Sequence, residues 1–417
     1  MLALAISAAH SEQSQVQEIV EATRLFESGR LDEAQAIVSR LRAQPDADLQ
    51  VLFLSGALHF TAGRYLEAAE EFRLMLARDP SLIRPRLELA RALFMAREYN
   101  AARYHFEQTL AFPLPEGVKA NVLGFLKLIQ EHLPSFALSV DIVSDSNPKQ
   151  ATSSKVVEIG GAPFQLSESA RAKEALGVLI VAQAKVPLPD HTSWFARGYL
   201  EHSDYAGGDL DLSYSQLLGG KHVDFGAHGL DFEAGGHLAN YGGNTLYRGP
   251  VWRVSDFIRI RPTFGVTLSA DAKQLRYPDF TFLTGWQRTG SADFRYALDP
   301  QTSLSAGLSY VRNSAQERPY AFDGAAANLR YVREWKRGWI SSLAYQYGRY
   351  QFDDVDPFFG VVRSDQEQRA EVGIVNRYLS YRRFSPRLTV GATERRSSID
   401  LFSYKRRYVR VGVVTEF

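Results

Sequence analysis

Hydrophobic and polar positions change their period once along this chain. From Gln15 to about Leu133 the apolar residues recur at helical spacing, and the pattern itself repeats. Gly56, Gly63, Tyr65, Ala68, Phe72 and Pro80 each stand 34 residues before Ala90, Arg97, Tyr99, Ala102, Phe106 and Leu114. One step back lie Ala22, Gly29, Leu31, Ala34 and Val38, with Pro45 one place early. Small residues where paired helices touch, and an aromatic where the next pair packs, predict tandem helical hairpins closed by a capping helix over Glu116 to His132. After Pro134 the period becomes two. Phe136, Leu138, Val140 and Ile142 alternate with Ala137, Ser139 and Asp141, and Leu388, Val390 and Ala392 alternate with Arg387, Thr389 and Gly391. Such segments run to the C-terminus between turn-forming stretches such as Tyr241-Gly242-Gly243-Asn244, which predicts antiparallel strands.

A period of 34 is the tetratricopeptide signature. The early tryptophan of that repeat is replaced by Leu52 or Arg86, and the last proline is displaced to Pro113 and Pro115. No run of about 18 apolar residues occurs, which excludes a helical membrane span but not a barrel, whose strands each carry a weak signal. Three features favour a membrane barrel over a soluble sandwich. Strands are long, as in Gly338 to Phe352. Trp335, Trp339, Tyr345, Tyr347 and Tyr350 gather as an interfacial girdle requires. At the end of the chain Val409, Val411, Val413, Thr415 and Phe417 form one face and finish on an aromatic. About 280 residues at about 20 per strand and connection give roughly fourteen strands, with twelve and sixteen the neighbouring even counts. The domains expected are a residual signal peptide over 1–10, where Ser7 and Ala9 resemble a cleavage site, helical repeats over 11–133 and an outer-membrane barrel over 134–417.

Composition narrows the chemistry. The 417 residues contain no cysteine, which excludes disulfides, thiolate metal sites and a cysteine nucleophile. Lysine plus arginine number 48 against 47 acids, a net charge of +1 that gives no electrostatic footprint for nucleic acid. The total conceals a split: the helical part leans acidic, and the last strands carry Arg369, Arg377, Arg387, Arg395, Arg406 and Arg410 among other bases. Basic pairs at barrel rims beside lipid phosphates, or pairing with Glu and Asp across a lumen, explain that run better than a conduit for an acidic client or polysaccharide, and Arg382-Arg383 and Arg395-Arg396 cannot both point inward.

None of the nine histidines lies in a hydrolase or metalloprotease motif. His222, His228 and His237 with Asp231 and Glu233 could bind a metal, but His237, Asp231, Glu233 and Gly235 alternate on one face, as a polar lumen row would. Asp353, Asp354 and Asp356 lack the turn glycine of a calcium loop. No enzyme, cofactor or metal is therefore expected. On the concave face of the repeats the lining positions are Phe53, Phe60, Arg84, Leu87, Arg91 and Phe94, aromatics and arginines suited to an extended or lipid-linked client, or to sealing the array against the barrel mouth.

The junction is more specific. Asn121-Val122-Leu123-Gly124-Phe125-Leu126 leads into a strand ending in Asp145-Ser146-Asn147, followed by Gly160-Gly161-Ala162-Pro163-Phe164-Gln165-Leu166-Ser167 and Arg171-Ala172-Lys173. With repeats before and a barrel behind, the chain resembles the surface lipoprotein assembly modulators, or Slam proteins, the outer-membrane translocators of type XI secretion. Pro148 departs from the family pattern. The resemblance implies a monomeric translocator with its repeats in the periplasm, passing a client surface lipoprotein or small secreted binding protein to the cell surface. Its other partners would be periplasmic chaperones, the barrel-assembly machinery and outer-membrane lipid. It also implies that Asp145, Ser146 and Asn147 mark the way into the barrel, and the terminal strand with Val409, Val411, Val413 and Phe417 would be the assembly signal. The alternative is a repeat-bearing porin that exports exopolysaccharide.

Overall fold

The computed structural model describes the chain except residues 1, 45–46, 160, 189–190, 207–209, 226–227, 382–383 and 416–417; side chains of residues 2–12, 130–132 and 191–192 are likewise outside the description. Phe417, Pro45 and the pair Arg382-Arg383 thus lie outside the described residues, as do the side chains of the first ten positions read as a signal remnant. Among the described residues no helix is long and apolar enough to cross a membrane.

Among the described residues seven helices come first: α1 (Leu2–Glu27), α2 (Leu31–Arg42), α3 (Leu49–Thr61), α4 (Tyr65–Arg78), α5 (Ile83–Met95), α6 (Tyr99–Thr109) and α7 (Glu116–His132). Their starts repeat the sequence period, since Leu31, Tyr65 and Tyr99 are 34 residues apart, as are Leu49 and Ile83. The turns repeat too. Gly29, Gly63 and Arg97 each take a left-handed φ, of 77°, 74° and 65°. Their amides bond back to Phe26, Phe60 and Phe94, and the following amides to Leu25, His59 and Leu93, which caps three helices in the same way. The small residue at the hairpin crossing has a steric cause: a Cβ on Gly56 would stand 2.8 Å from the Phe72 ring. One apolar core runs through all seven helices, from Ile19 to Ile129.

Among the described residues fourteen strands follow in a closed antiparallel barrel, the number expected. They are β1 (Ser135–Asp145), β4 (Ala175–Leu188), β5 (His191–Tyr205), β6 (Leu212–Phe225), β7 (His228–Tyr241), β8 (Asn244–Arg261), β9 (Phe264–Leu275), β10 (Gly285–Asp299), β11 (Thr302–Ala315), β12 (Phe322–Glu334), β13 (Trp339–Val355), β14 (Val362–Asn376), β15 (Phe384–Ser397) and β16 (Tyr404–Thr415). A separate hairpin, β2 (Val156–Ile159) with β3 (Ala162–Gln165), stands in the long connection after β1. In the barrel β1 pairs with β4, each later strand pairs with the next, and β1 closes the circle on β16 from Ser139↔Val414 to Asp145↔Tyr408, so the barrel sheet has no open edge.

The alternation turns apolar side chains outward. Leu217, Trp252, Leu308, Leu343, Val372, Val409, Val411 and Val413 are exposed on the outer face, which is where hydrocarbon would meet them. Trp335, Trp339, Tyr345 and Tyr347 also face out, whereas Tyr350 points into the lumen, where its ring meets Phe322, so it is not part of the expected girdle. The strand expected from Gly338 starts at Trp339, because Arg337 (φ 60°) and Gly338 (φ 69°) form the preceding turn.

Candidate functional site: the joint between helices and barrel

Sequence placed Arg86 where the repeat usually carries a large apolar residue, and its side chain is wholly buried in that place. It does not pack there as an apolar residue would. Its guanidinium donates to the Pro80 carbonyl at 2.8 Å and to Glu334 Oε2 at 2.7 Å, reaching from α5 to the last residue of β12. Glu334 Oε1 accepts from Tyr104 of α6 at 2.8 Å and from Arg377, just after β14, at 2.9 Å, and the Arg377 guanidinium lies 4.5 Å from the Tyr104 ring centre. One carboxylate of the barrel rim is thus shared by two arginines, one from each half of the molecule. Charge-assisted bonds of this kind are strong only where every partner is held in place, and here a helix, a hairpin and a turn hold them.

Around this cluster α4 packs on the turn Lys336–Gly338, with Arg73, Leu76, Ala77 and Pro80 meeting Trp335, Trp339, Ile340 and Tyr378 across a cavity of about 40 Å³. His105 is buried beside it. Desolvation, with the Arg377 and Arg86 charges nearby, holds its imidazole well below the ordinary histidine range. Asn100 adds a bond to the Phe136 carbonyl at 2.9 Å. The rim that receives the helices is the one where the barrel begins at Ser135 and ends at Thr415.

Beyond the joint, α6 faces the lumen. Asn100, Arg103, Glu107, Ile129 and Leu133 share a space of about 490 Å³ with Lys185, Arg197, Asp231, Glu233, Arg253 and Arg295 of the wall. These wall charges are largely paired: Arg197 with Glu233 at 2.5 Å, Lys185 with Asp231 at 2.9 Å. The arginine-rich end of the chain is paired in the same fashion. Arg387 binds Asp141, Arg395 binds Glu367 at 2.5 Å, Arg406 binds Asp145 at 2.6 Å, and Arg369 and Arg410 share Glu371 at 2.6 and 2.5 Å. Arg396 points out beside Glu394 while Arg395 points in, as alternation requires. His237 does share the lumen row of Asp231 and Glu233, but the three histidines take separate partners: His222 with Asp231, His228 with Asp256, and His237 with the Gln274 carbonyl. Asp353 is held by Arg312 and Asp356 caps the amides of Phe358 and Phe359, so this acidic run closes a loop rather than a cation cage.

Asp145, Ser146 and Asn147 lie together at the far end of the closing seam. Asp145 accepts from Tyr205 at 3.0 Å and from Arg406; the Ser146 amide bonds the Arg407 carbonyl, and its hydroxyl accepts the Arg407 amide at 2.8 Å. Asn147 is fully buried, and its amide group spans Ala151 at 2.8 Å and the Lys405 carbonyl at 3.1 Å. The three residues therefore fasten β1 to β16. The concave-face residues form a ladder on α3 and α5. Arg84 stacks over Phe53 at 4.7 Å, Arg91 over Phe60 at 5.2 Å, and Phe94 meets Phe125 at 4.9 Å. Leu87 and Arg91 open into a groove of about 660 Å³ against α7. The sequence reading missed Glu334, Tyr104 and Arg377 as a site. The signal was an arginine at a core position of the repeat, a charge that burial allows only with a partner.

Fold and joint define a transmembrane β-barrel of the outer-membrane type with a helical repeat domain seated on one mouth. Among solved structures it is similar to a Pseudomonas aeruginosa FadL homologue (TM-score 0.43, 9% identity, 74% of this chain and 95% of that one) and to the Acinetobacter baumannii outer membrane channel DcaP (TM-score 0.38, 10% identity, 68% and 97%). Residues 241–417 match the family described as surface lipoprotein assembly modifier. Two curated relatives extend the likeness forward. The hemophilin secretion modulator of Acinetobacter baumannii is 22% identical over 385 residues, 86% of this chain and 77% of that protein. Surface lipoprotein assembly modifier 2 of Haemophilus influenzae is 21% identical over 371 residues, 84% and 75%. Over residues 241–417 the chain is thus similar to the surface lipoprotein assembly modifiers, the family that its junction residues also resemble.

Proposed function

We propose that this protein moves client proteins, surface lipoproteins or a secreted protein of the hemophilin kind, from the periplasm to the cell surface, with its helical domain on the periplasmic side. The observation that carries the reading is the seating of the helices across one barrel mouth by the shared carboxylate Glu334, which sets α6 against the lumen cavity. A domain so held would receive a client where the lumen begins. The ladder of Arg84 on Phe53 and Arg91 on Phe60 gives that domain an adjacent surface of stacked guanidinium and aromatic groups for an extended segment. Periplasmic chaperones would deliver the client unfolded, and the barrel-assembly machinery would insert this barrel, with Val409, Val411, Val413 and Phe417 as its terminal recognition strand. No covalent chemistry is needed. Net movement would come from client folding and binding outside.

The test is co-expression with a candidate lipoprotein in a Gram-negative host that lacks its own exporter, read by surface protease shaving of whole cells. Exposure of the lipoprotein only when this chain is present supports the reading. Equal exposure with and without it, for every candidate tried including a hemophilin, would sink it.

A further inference from the structure

Above the mouth cavity, one wall of the lumen carries a continuous arc of rings. Tyr199 of β5 lies two residues beyond the cavity residue Arg197, and its ring is 5.9 Å from Tyr214 of β6. Tyr214 is 6.1 Å from His237 of β7, His237 is 5.6 Å from Tyr247 of β8, and Tyr247 is 5.2 Å from Tyr277, just past the end of β9. The arc climbs from mid-wall at Tyr199 to the rim opposite the helices at Tyr277, crossing five consecutive strands.

Its polar atoms are the second, independent observation. His237 is 5% exposed; its Nε2 meets the Gln274 carbonyl at 2.9 Å, but its Nδ1 has no hydrogen-bond partner in the protein. The Tyr214 hydroxyl and Nε2 of Gln216, which pairs with His237 across the strands, are likewise unpartnered. Buried polar groups are rarely left so; these three lie behind the rings, so it is the ring faces that the arc presents to the lumen. The opposite wall differs: on β14 to β16 arginine, glutamate and tyrosine are bonded to one another.

We propose that the arc is the track along which an extended client polypeptide slides through the outer half of the lumen. Faces of tyrosine accept side chains of any sequence, as a translocator of unfolded chains requires, and weak contacts in series allow motion that one strong site would stop. Side chains on one face of an extended strand recur at about 7 Å, close to the ring spacing of 5.2–6.1 Å. The arc begins beside the cavity that α6 shares, two residues from its lining residue Arg197. A linear oligosaccharide would also stack on tyrosines, but this inference rests on the protein-export reading, in which the helical domain supplies a polypeptide.

The full chain in planar bilayers tests it. The probe is a synthetic 30-residue peptide of Gly, Ser, Thr and Asn added on the helical side, with maltoheptaose as the saccharide arm. The expected result is peptide-dependent blockade of conductance whose dwell time falls roughly tenfold in the Tyr214→Ala/Tyr247→Ala double variant. The Tyr214→Phe/Tyr247→Phe pair keeps the rings and loses only about two- to threefold, and it stands in if the alanine pair fails to give a heat-modifiable barrel. Dwell times equal to wild type in the ring-deleted barrel, block by maltoheptaose without block by the peptide, or no block by either probe overturns the proposal. The readouts separate it from the export reading. Ring-independent passage with lipoprotein exposure still dependent on this chain removes the track alone, whereas ring-dependent blockade without any client at the surface removes the export reading.

Discussion

The two halves of this molecule bury opposite things. In the helical half, apolar side chains from Ile19 to Ile129 fill one core. In the barrel the apolar side chains face outward, and Asp141, Asp145, Glu233 and His237 are among the most buried groups. Each half is consistent with the solvent it was built for. The difference teaches where each is fragile. The repeats depend on steric fit between neighbours in sequence, and the barrel depends on closure and on ion pairs between residues far apart in the chain. The joint is the one place where both requirements fall on the same residues, Arg86 in a helical core and Glu334 at a barrel rim.

The sharpest break should come at closure. Gly412 of β16 sits so near Val140 of β1 that an added Cβ would stand inside the Val140 carbonyl and against Asp141. Strand pairing has no room to shift there, because the register continues on both sides. Gly412→Val is expected to abolish the heat-modifiable, protease-resistant barrel while helical repeats still form. A normally migrating barrel would show that the seam is not close-packed.

Next in size is the joint. Glu334→Gln removes the carboxylate that Arg86 holds in the buried joint, and breaking a buried ion pair in this way costs about 3–5 kcal/mol. The loss should fall on docking rather than on either half. Hydrogen exchange should rise in α5, α6 and the turn Lys336–Gly338 while the barrel keeps its gel mobility. Unchanged exchange at these elements would mean that the apolar contacts around Trp335 and Trp339 hold the joint alone.

What could be read beforehand follows the same divide. The repeat was legible because Gly56 and Phe72 are partners within one hairpin and reappear as Ala90 and Phe106, so steric complementarity leaves a period in the sequence. The barrel strands were legible as alternation, and their number followed from length. Neither reveals who pairs with whom across the closing seam or the joint. Arg406 reaches Asp145 across 261 residues, and Arg86 reaches Glu334 across 248. Such contacts are set by closure and docking, which no local pattern encodes. Tyr350 was misplaced for a related reason: a one-residue difference in strand phase moves a side chain from lipid to lumen. The Asp145-Ser146-Asn147 turn stood out in the sequence, yet its hold on Arg407 and Lys405 came only from the structure.

A smaller, pH-dependent effect arises in the helical half, on the face it turns to the joint. His105 is buried in the helical half with its pKa depressed by desolvation and nearby guanidinium charges. The folded domain therefore keeps it neutral, while the unfolded chain binds a proton below about pH 6.5. Its contribution is whole above that value and is lost as the pH falls, by about 1 kcal/mol per unit. Thermal loss of the helical circular dichroism signal should shift downward between pH 7.5 and 5.5 in the wild type and much less in His105→Leu. An equal shift in both would place the acid sensitivity elsewhere.

The least effect expected is a gain. At the repeat's left-handed turn two units carry glycine, at φ 77° and 74°, and the third carries Arg97 at 65°. A side chain in that region costs about 1–2 kcal/mol, and glycine returns part of this through its freedom in the unfolded chain, about 0.5–1 kcal/mol. Arg97 is exposed, and among the described residues no hydrogen bond or ion pair of its side chain offsets the strain. Arg97→Gly should therefore raise the helical domain's stability by about 0.5–1 kcal/mol, seen as a higher midpoint of the helical signal in urea, with the barrel's resistance to heat unchanged. The comparison is clean because the backbone bonds of this turn, from the Arg97 amide to Phe94 and from the Glu98 amide to Leu93, match those at the two glycines and survive the change. A lower midpoint would show that the arginine contributes to the turn by more than its backbone, and that the third repeat is not equivalent to the others.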